Sequence, residues 1–348
     1  MIGAHMAETE RFPRPRRRKG SGAVTLRDVA QLAGVAPITA SRALNTPSQV
    51  SPEVLGRVTE AVRQTGYVPN LLAGALSSMK SRMVGVAVPT IAGPVFLDTV
   101  QSLTEALFEA GYQVLLGQTG YDNAREDAWL DAMIGRRPDG LVLTGTSHSE
   151  QARTRLRAAG VPVVETWDQS DDPIDMLVGF SHVEVGRKVA TYLHERGYRR
   201  LAGVAGSDER AMRRFRAFQE QARALGVADV PVATVATPTT LGSGRRGLAE
   251  LLAHPDGIDA VFCSSDSLAL GVLIEAQARG LRVPQDLAIV GFGDLALARD
   301  LEPALTTVRI DGFAIGRQAA RFILDRADGP VERRAIDIGF ELVQRASG

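Results

Sequence analysis

Residues 24–45 read Val24-Thr25-Leu26-Arg27-Asp28-Val29-Ala30-Gln31-Leu32-Ala33-Gly34-Val35-Ala36-Pro37-Ile38-Thr39-Ala40-Ser41-Arg42-Ala43-Leu44-Asn45. Thr25-Leu26-Arg27-Asp28 is a capping pattern: a hydroxyl to accept a free backbone N–H, and an acidic side chain in the first turn, where the helix dipole favours negative charge. Val29, Leu32 and Ala33 give the helix that follows an apolar side. Gly34 supplies a permissive turn, and Pro37 suits the first position of a second helix running to about Asn45, where its missing N–H costs nothing. Ser51-Pro52-Glu53 announces a third helix with Ser51 as its cap; Val54, Val58, Ala61 and Val62 are its packed side and Gly66 stops it. The spacing predicts three short helices around one small core, in the order of a helix-turn-helix. Spacing alone leaves both DNA recognition and a plain helical hairpin open.

Further along, from Met83 onward, apolar runs of four to seven residues alternate with amphipathic stretches of ten or more, the pattern of an α/β fold. Strands are expected at Met83–Val88, Gln113–Leu116, Gly140–Leu143, Val161–Glu165, Met176–Phe180, Leu201–Val204, Val232–Val235, Ala260–Cys263 and Leu287–Gly291. This repetition exceeds a single doubly wound sheet, and it falters at Asp168–Asp175, where two strands follow each other without a helix. Two α/β lobes are the expected result. Ligands of open sheets bind beyond the carboxyl ends of the strands, so the lobes should face one another across a cleft.

A chain of 348 residues has room for several cores. Its longest apolar stretches, such as Leu287–Phe292, fall far short of the ~20 residues that span a bilayer. Formal charge balances overall, yet residues 1–82 carry 12 basic and 5 acidic side chains, leaving 28 and 35 for the remainder. That asymmetry fits a small module for a polyanion on a larger acidic body; the other reading is a solvated basic tail. Residues 1–23 are rich in Pro, Arg and Gly and are expected to be disordered. Met1–Met6 reads like an expression scar, and no apolar core follows the Arg14–Lys19 run, so no secretory signal is expected. The single cysteine, Cys263, lies in an apolar run, which excludes an internal disulfide framework and points to a buried thiol in a reducing compartment, the cytoplasm.

The segments 24–35, Thr39-Ala40-Ser41-Arg42-Ala43-Leu44-Asn45 and Gly66-Tyr67-Val68-Pro69-Asn70 together resemble the lactose-repressor/galactose-repressor (LacI/GalR) family of bacterial transcription regulators. The likeness extends through Leu305-Thr306-Thr307-Val308 and covers about residues 24–345. It implies a small all-α helix-turn-helix DNA-binding domain at 24–69, a hinge helix at 70–80, and a two-lobed periplasmic-binding-protein-like core at 81–348 with two parallel α/β sheets and three crossovers. The first lobe would comprise about 81–180 and 310–328, the second about 181–309 and 329–348.

In this family the second helix enters the major groove, which puts Pro37, Ile38 and Arg42 where base-contacting side chains project. Arg42 can donate two bonds to guanine O6 and N7, whereas Ile38 can meet only a thymine methyl or another apolar edge. Pro37 and Ile38 replace the polar pair of the lactose repressor itself, so a different operator is implied. Thr25, Thr39, Ser41, Asn45, Tyr67 and Asn70 match positions that hold phosphates, and each alone could equally be a cap or a surface residue. Asn70–Met79, with Gly74 inside it, is too short to be stable alone. By resemblance it is the hinge helix, folding in pairs on DNA while Leu76 wedges between base steps; the plainer reading is a linker.

For the core, the resemblance places Phe96, His148, Trp167, Arg210, Arg214, Ser265, Asp266 and Asp294 at effector-cleft positions. Arg214 matches the arginine that relatives use on a carboxylate or sugar hydroxyls, suiting its bidentate fork. Many sugar-binding relatives carry their aspartate one position before Asp294, where this chain has Gly293. Phe96 and Trp167 could bound a ligand or simply fill core, and His148 is equally open. Asp175–Ser181, Leu143–His148 and Gly291-Phe292-Gly293-Asp294 look most like the gluconate-repressor branch, which favours a sugar acid over a neutral sugar or a purine. The implied partners are a pseudo-palindromic double-stranded operator, a small effector and a second copy of the chain; no membrane, cofactor, metal or enzymatic activity is expected.

Two rival readings fit parts of the sequence. Gly242-Ser243-Gly244-Arg245-Arg246-Gly247 matches the G-x-G-x-x-G dinucleotide pattern, but it lies deep in the chain, with Thr237–Leu241 between it and its strand. A sugar-binding transport receptor shares the two-lobed core but has no use for a helix-turn-helix.

Overall fold

The computed structural model describes residues 24–68, 80–329, 331, 332 and 334–348. The basic arm at 1–23, and Asn70 and Leu76 of the expected hinge helix, lie outside the described residues. Contacts divide the chain into two units, Met1–Met79 and Lys80–Gly348.

In the first unit α1 (Leu26–Leu32), α2 (Pro37–Asn45) and α3 (Pro52–Thr65) close around Val29, Ala30, Ala40, Ala43, Val58 and Ala61. Small residues at these positions let three short helices approach closely. Leu32, expected on the apolar side, is 53% exposed, because the buried stripe of α1 runs through Val29, Ala30 and Ala33. Gly34 and Gly66 take left-handed φ values of 62° and 64°, a conformation costly for side-chain-bearing residues. The Ser51 hydroxyl accepts the Val54 N–H at 3.4 Å. At Thr25 the capping box forms: the Asp28 carboxylate accepts the Thr25 N–H at 2.8 Å, and the Thr25 hydroxyl also donates to Asp28 Oδ2 at 2.7 Å.

The second unit begins with β1 (Met83–Val88), α4 (Leu97–Glu109), β2 (Gln113–Gln118), α5 (Asn123–Ile134), β3 (Gly140–Thr144), α6 (Glu150–Ala159), β4 (Val163–Thr166) and β5 (Met176–Gly179). It continues through α7 (His182–Glu195), β6 (Leu201–Gly206), α8 (Glu209–Ala224), β7 (Val232–Val235), α9 (Leu241–Leu251), β8 (Ala260–Cys263), α10 (Asp266–Ala278), β9 (Ala288–Gly293) and β10 (Thr306–Arg309). It ends with α11 (Gly312–Asp328), β11 (Ala335–Asp337) and β12 (Glu341–Val343). Two six-stranded sheets result, in the orders β11-β5-β4-β3-β1-β2 and β12-β10-β9-β8-β6-β7. All neighbours are parallel except β10 and β12. Central strands such as β1, β3 and β8 are continuously apolar because helices cover both faces.

Every strand expected from the sequence is present, with ends moved by up to two residues. The last three strands are additional to those expected: β10 buries Thr306 and Thr307 in place of an apolar run, and β11 and β12 are three residues long with exposed or half-buried side chains. β11 also corrects the expected lobe boundary. Ala335↔Leu177 and Asp337↔Gly179 place it in the first sheet, so the second lobe does not own all of 329–348. The chain therefore passes between sheets at residues 180–181, 310–311 and 338–340.

Glycines set the helix packing. A Cβ on Gly186 of α7 would lie 2.1 Å from the Arg214 carbonyl oxygen of α8, and one on Gly244 of α9 would lie 2.2 Å from the Leu268 carbonyl oxygen of α10. Gly244 and Gly247 of the G-x-G-x-x-G string thus sit inside α9, where their absent side chains admit α10 and Val204. Helix contact accounts for that pattern without a phosphate.

Candidate DNA-reading face and effector cleft

At 3.6 residues per turn, Pro37, Ser41, Asn45, Ile38 and Arg42 fall on one arc of about 140° of α2. Pro37, Ile38, Arg42 and Asn45 are exposed, Ile38 at 63%, and Ser41 is half-buried. Ala40 and Ala43, on the opposite arc, are buried against the other helices. An exposed isoleucine beside an arginine is a poor solvent face and a good surface for reading base edges. The Asn45 amide donates to the Ser41 carbonyl oxygen at 3.0 Å, which steadies the end of the helix. Thr39 and Tyr67 are half-buried, Tyr67 against the three-helix core, and Thr25 is exposed at the start of α1.

In the second unit, helix caps line the ends of the second lobe's strands. Asp208 caps α8 by accepting the Ala211 N–H at 3.1 Å, and Ser265 caps α10 by accepting the Leu268 N–H at 3.3 Å. A cleft opens between them and the first lobe, and it brings together Phe96, Trp167, Arg210, Arg214, Ser265 and Asp266. Tyr121, His182, Asp208, Thr239 and Ser264 also line it.

Arg214 is the electrostatic centre of the cleft. Its guanidinium is buried, stacks at 3.9 Å over the Phe292 ring, and donates through Nη1 to His182 Nδ1 at 2.8 Å and through Nη2 to the Ser264 carbonyl oxygen at 3.1 Å. Both acceptors are uncharged. His182 lies 3.0 Å through Nε2 from the Trp167 carbonyl oxygen, which can only accept, so the ring carries its proton on Nε2 and leaves Nδ1 as an acceptor. Burial and the charges of Arg214 and Arg210 hold His182 well below the ordinary histidine range. Burial lowers the Arg214 guanidinium to about 10, leaving it a cation at neutral pH. Among the described residues, Arg214 Nε and Arg210 Nη1 are buried without a hydrogen-bond partner.

The aromatic wall comes from the first lobe. Trp167 has a left-handed φ of 64°, its indole N–H donates to Thr99 Oγ1 at 3.0 Å, and its ring meets Phe96 edge-on at 5.1 Å. Arg210 reaches over the Phe96 ring at 5.5 Å. Asp266 is fully buried and already engaged, accepting from Thr307 Oγ1 at 2.6 Å and from the Leu295 N–H at 2.7 Å. Burial pushes its carboxyl up to about 6. A Cβ on Gly291 would lie 2.2 Å from its Oδ1, which explains the glycine.

Two expected cleft residues lie elsewhere. His148 is enclosed by Glu126 at Nδ1 and by Glu165 at Nε2, the latter 3.4 Å away, inside the first lobe. Asp294 turns back into its own lobe on a φ of 49° and pairs with Arg309 and Arg345, each at 2.6 Å. Of the lining residues that sequence reasoning missed, Ser264 follows β8 directly and Asp208 lies two residues past β6, so the strand-end rule could have found them. Among the described residues, no group of His, Cys, Asp or Glu is arranged to hold a metal ion, and no helix is long and apolar enough to cross a membrane. Cys263 is buried, and burial raises its thiol far above the ordinary range.

A helix-turn-helix on the same chain as a two-lobed cleft centred on a buried cation defines a ligand-responsive DNA-binding regulator. The family described as bacterial regulatory proteins, lacI family, matches residues 25–70, and the periplasmic binding protein-like domain matches residues 190–348. The HTH-type transcriptional regulator GntR of Pseudomonas aeruginosa is 37% identical over 331 residues, 94% of this chain and 96% of that protein. GntR of Escherichia coli K12 is 33% identical over 319 residues, 91% and 96% of the two chains. The crystal structure of a LacI-family transcriptional regulator from Silicibacter pomeroyi superposes with a TM-score of 0.88 at 32% identity, covering 93% of this chain and 99% of that one. The chain belongs to the LacI family of bacterial regulatory proteins, on the gluconate-repressor side of it. It is a DNA-binding transcriptional regulator of a family that binds operator DNA and small effectors, typically as dimers, and its relatives are regulators and not enzymes.

Proposed function

We propose that this regulator is a repressor that binds a pseudo-palindromic operator as a homodimer and is controlled by a gluconate-like sugar acid between its lobes. The observation that carries the ligand class is Arg214: a buried guanidinium whose direct partners are a neutral imidazole and a carbonyl. No carboxylate hydrogen-bonds this buried cation; the charges of Asp208 and Asp168 offset its burial from a distance, and an anionic ligand would supply the direct partner. Arg214 Nε and Arg210 Nη1 are buried donors without a partner and are available to it. Asp208, Thr239 and Ser265 offer acceptors and hydroxyls to a polyol, while Phe96 and Trp167 bound its apolar face. Asp266 acts by positioning, because both its oxygens are engaged. On the DNA side Arg42, Ile38 and Pro37 read bases, and Thr25, Thr39, Ser41, Asn45, Tyr67 and Asn70 hold phosphates. Leu76 is the minor-groove wedge of a hinge helix at 70–80. Such a protein works where the chromosome is, in the bacterial cytoplasm.

Effector binding changes the balance between lobe arrangements, and its influence on the operator is a coupling free energy of typically ~1–3 kcal/mol. The expected sign is release. The transport-receptor reading has no support, since the relatives named above are regulators. A thermal-shift series with gluconate, glucose and hypoxanthine tests the ligand class: stabilisation by gluconate alone is the expected result, and a purine response overturns it. Operator binding measured with and without gluconate then reads the sign directly.

A further inference from the structure

We infer that His182 is a positioning residue: a neutral imidazole whose Nδ1 acceptor aims the ligand-facing guanidinium of Arg214. It opens α7, immediately after the first passage between the sheets. On one side it donates from Nε2 to the Trp167 carbonyl oxygen at 3.0 Å; on the other, Nδ1 accepts from Arg214 Nη1 at 2.8 Å. Trp167 belongs to the loop after β4, and Arg214 to α8. One five-membered ring therefore spans both lobes.

The consequence for Arg214 is geometric. Nη1 donates one N–H to His182, Nη2 one to the Ser264 carbonyl oxygen, the guanidinium plane lies on the Phe292 ring, and the Nε–H is buried without a partner. The Phe180 ring packs edge-on against the imidazole at 4.6 Å and closes the space in which it could rotate. An acceptor at Nδ1 is thus what aims the guanidinium. Trp167 is tied in turn through its indole N–H to Thr99, whose hydroxyl donates to the Gly312 carbonyl oxygen beside the second passage between sheets.

The inference rests on the reading of Arg214 as the anion-binding residue, and the tests separate the two. Asparagine places its carboxamide oxygen near the imidazole Nδ1 position and keeps the acceptor for Arg214 while losing the reach to Trp167. Glutamine places its amide nitrogen near Nε2 and does the reverse. With gluconate as probe, His182→Gln should weaken binding roughly tenfold or more, and His182→Asn should stay within about threefold of the parent. Equal weakening in both, or weakening that follows the loss of ligand-free thermal stability, overturns the inference. Crystal structures of the two ligand-free variants form an arm that needs no ligand: Arg214 should leave the Phe292 ring in His182→Gln and remain on it in His182→Asn, and the opposite pattern overturns the inference. If gluconate fails to bind the parent protein, the sugar-acid reading falls and this crystallographic arm alone decides His182. Should His182→Gln not fold, imidazole 15N spectra of the parent full-length chain near neutral pH decide. The resonance pair lost in His182→Asn should show a protonated Nε2 and a bare Nδ1, and an imidazolium or the opposite tautomer overturns the inference.

Discussion

The Asp168 carboxylate and the Arg213 guanidinium meet at 2.8 Å across the cleft, the first on the loop after β4 and the second on α8. Asp168 is almost wholly buried and also accepts from Thr146 Oγ1 at 3.0 Å, whereas Arg213 is partly exposed and shared with Glu209 at 2.9 Å. A buried carboxylate cannot trade its partner for water, so the pair acts as a clasp between lobes instead of an ordinary surface ion pair. Arg213→Ala and Asp168→Asn, alone and combined, should give a coupling energy of about 1–2 kcal/mol in urea unfolding. A coupling within about 0.5 kcal/mol of zero would show that the two groups act independently.

His148 makes stability depend on pH. Burial disfavours its charge, but the hydrogen bond from Nδ1 to Glu126 and the Glu165 carboxylate 3.4 Å from Nε2 outweigh burial and raise the imidazole to about 9 from an ordinary value of 6.5. A folded-state value above the unfolded one means that folding takes up a proton. The stabilisation is complete below the unfolded value of about 6.5 and is lost as pH rises through about 9. Unfolding midpoints should therefore fall across that interval, and His148→Gln should flatten the fall. An unchanged slope in the variant would assign the dependence to other groups.

The helix-turn-helix was legible because its signals are local: a cap, a glycine turn and a proline at a helix start all act within four residues. Arg214 was legible only through resemblance, since nothing around it in sequence marks it as buried. His148 and Asp294 misled for one physical reason. Both lie just past strand ends, where ligands are usually met, yet their partners come from remote positions: Glu126 and Glu165 for one, Arg309 and Arg345 for the other. A sequence read locally cannot show that a charge is already neutralised. His182 was missed for the converse reason, because its two partners lie on separate lobes.

Gly186 offers a direct test of how closely α7 and α8 must approach. An added Cβ would meet two backbone atoms, the Arg214 carbonyl oxygen at 2.1 Å and the Phe218 nitrogen at 2.8 Å, and backbone cannot swing aside as a side-chain tip can. Gly186→Ala should cost about 1–3 kcal/mol in unfolding free energy, and should weaken gluconate binding because Arg214 sits at the contact. Gly56 of α3 is the control: no atom lies within 4 Å of its added Cβ, so Gly56→Ala should stabilise the first unit by about 0.5–1 kcal/mol. Equal effects at the two sites would show that helix propensity, and not the crossing, sets the outcome at Gly186.

Arg42 decides whether the exposed arc of α2 reads sequence. Its exposure beside Ile38 leaves two roles open to a guanidinium on DNA: a fork on a guanine edge, or a point charge on a phosphate. The first loses discrimination when removed; the second loses affinity evenly on all sequences and lowers the salt dependence by about one unit. We expect Arg42→Ala to cost about 1–3 kcal/mol on a selected operator and far less on random duplex at the same salt concentration. Binding to both duplexes by fluorescence anisotropy over a salt series separates the roles. Equal losses with a shallower salt slope would move Arg42 to the phosphate backbone and leave Ile38 and Pro37 to carry the recognition.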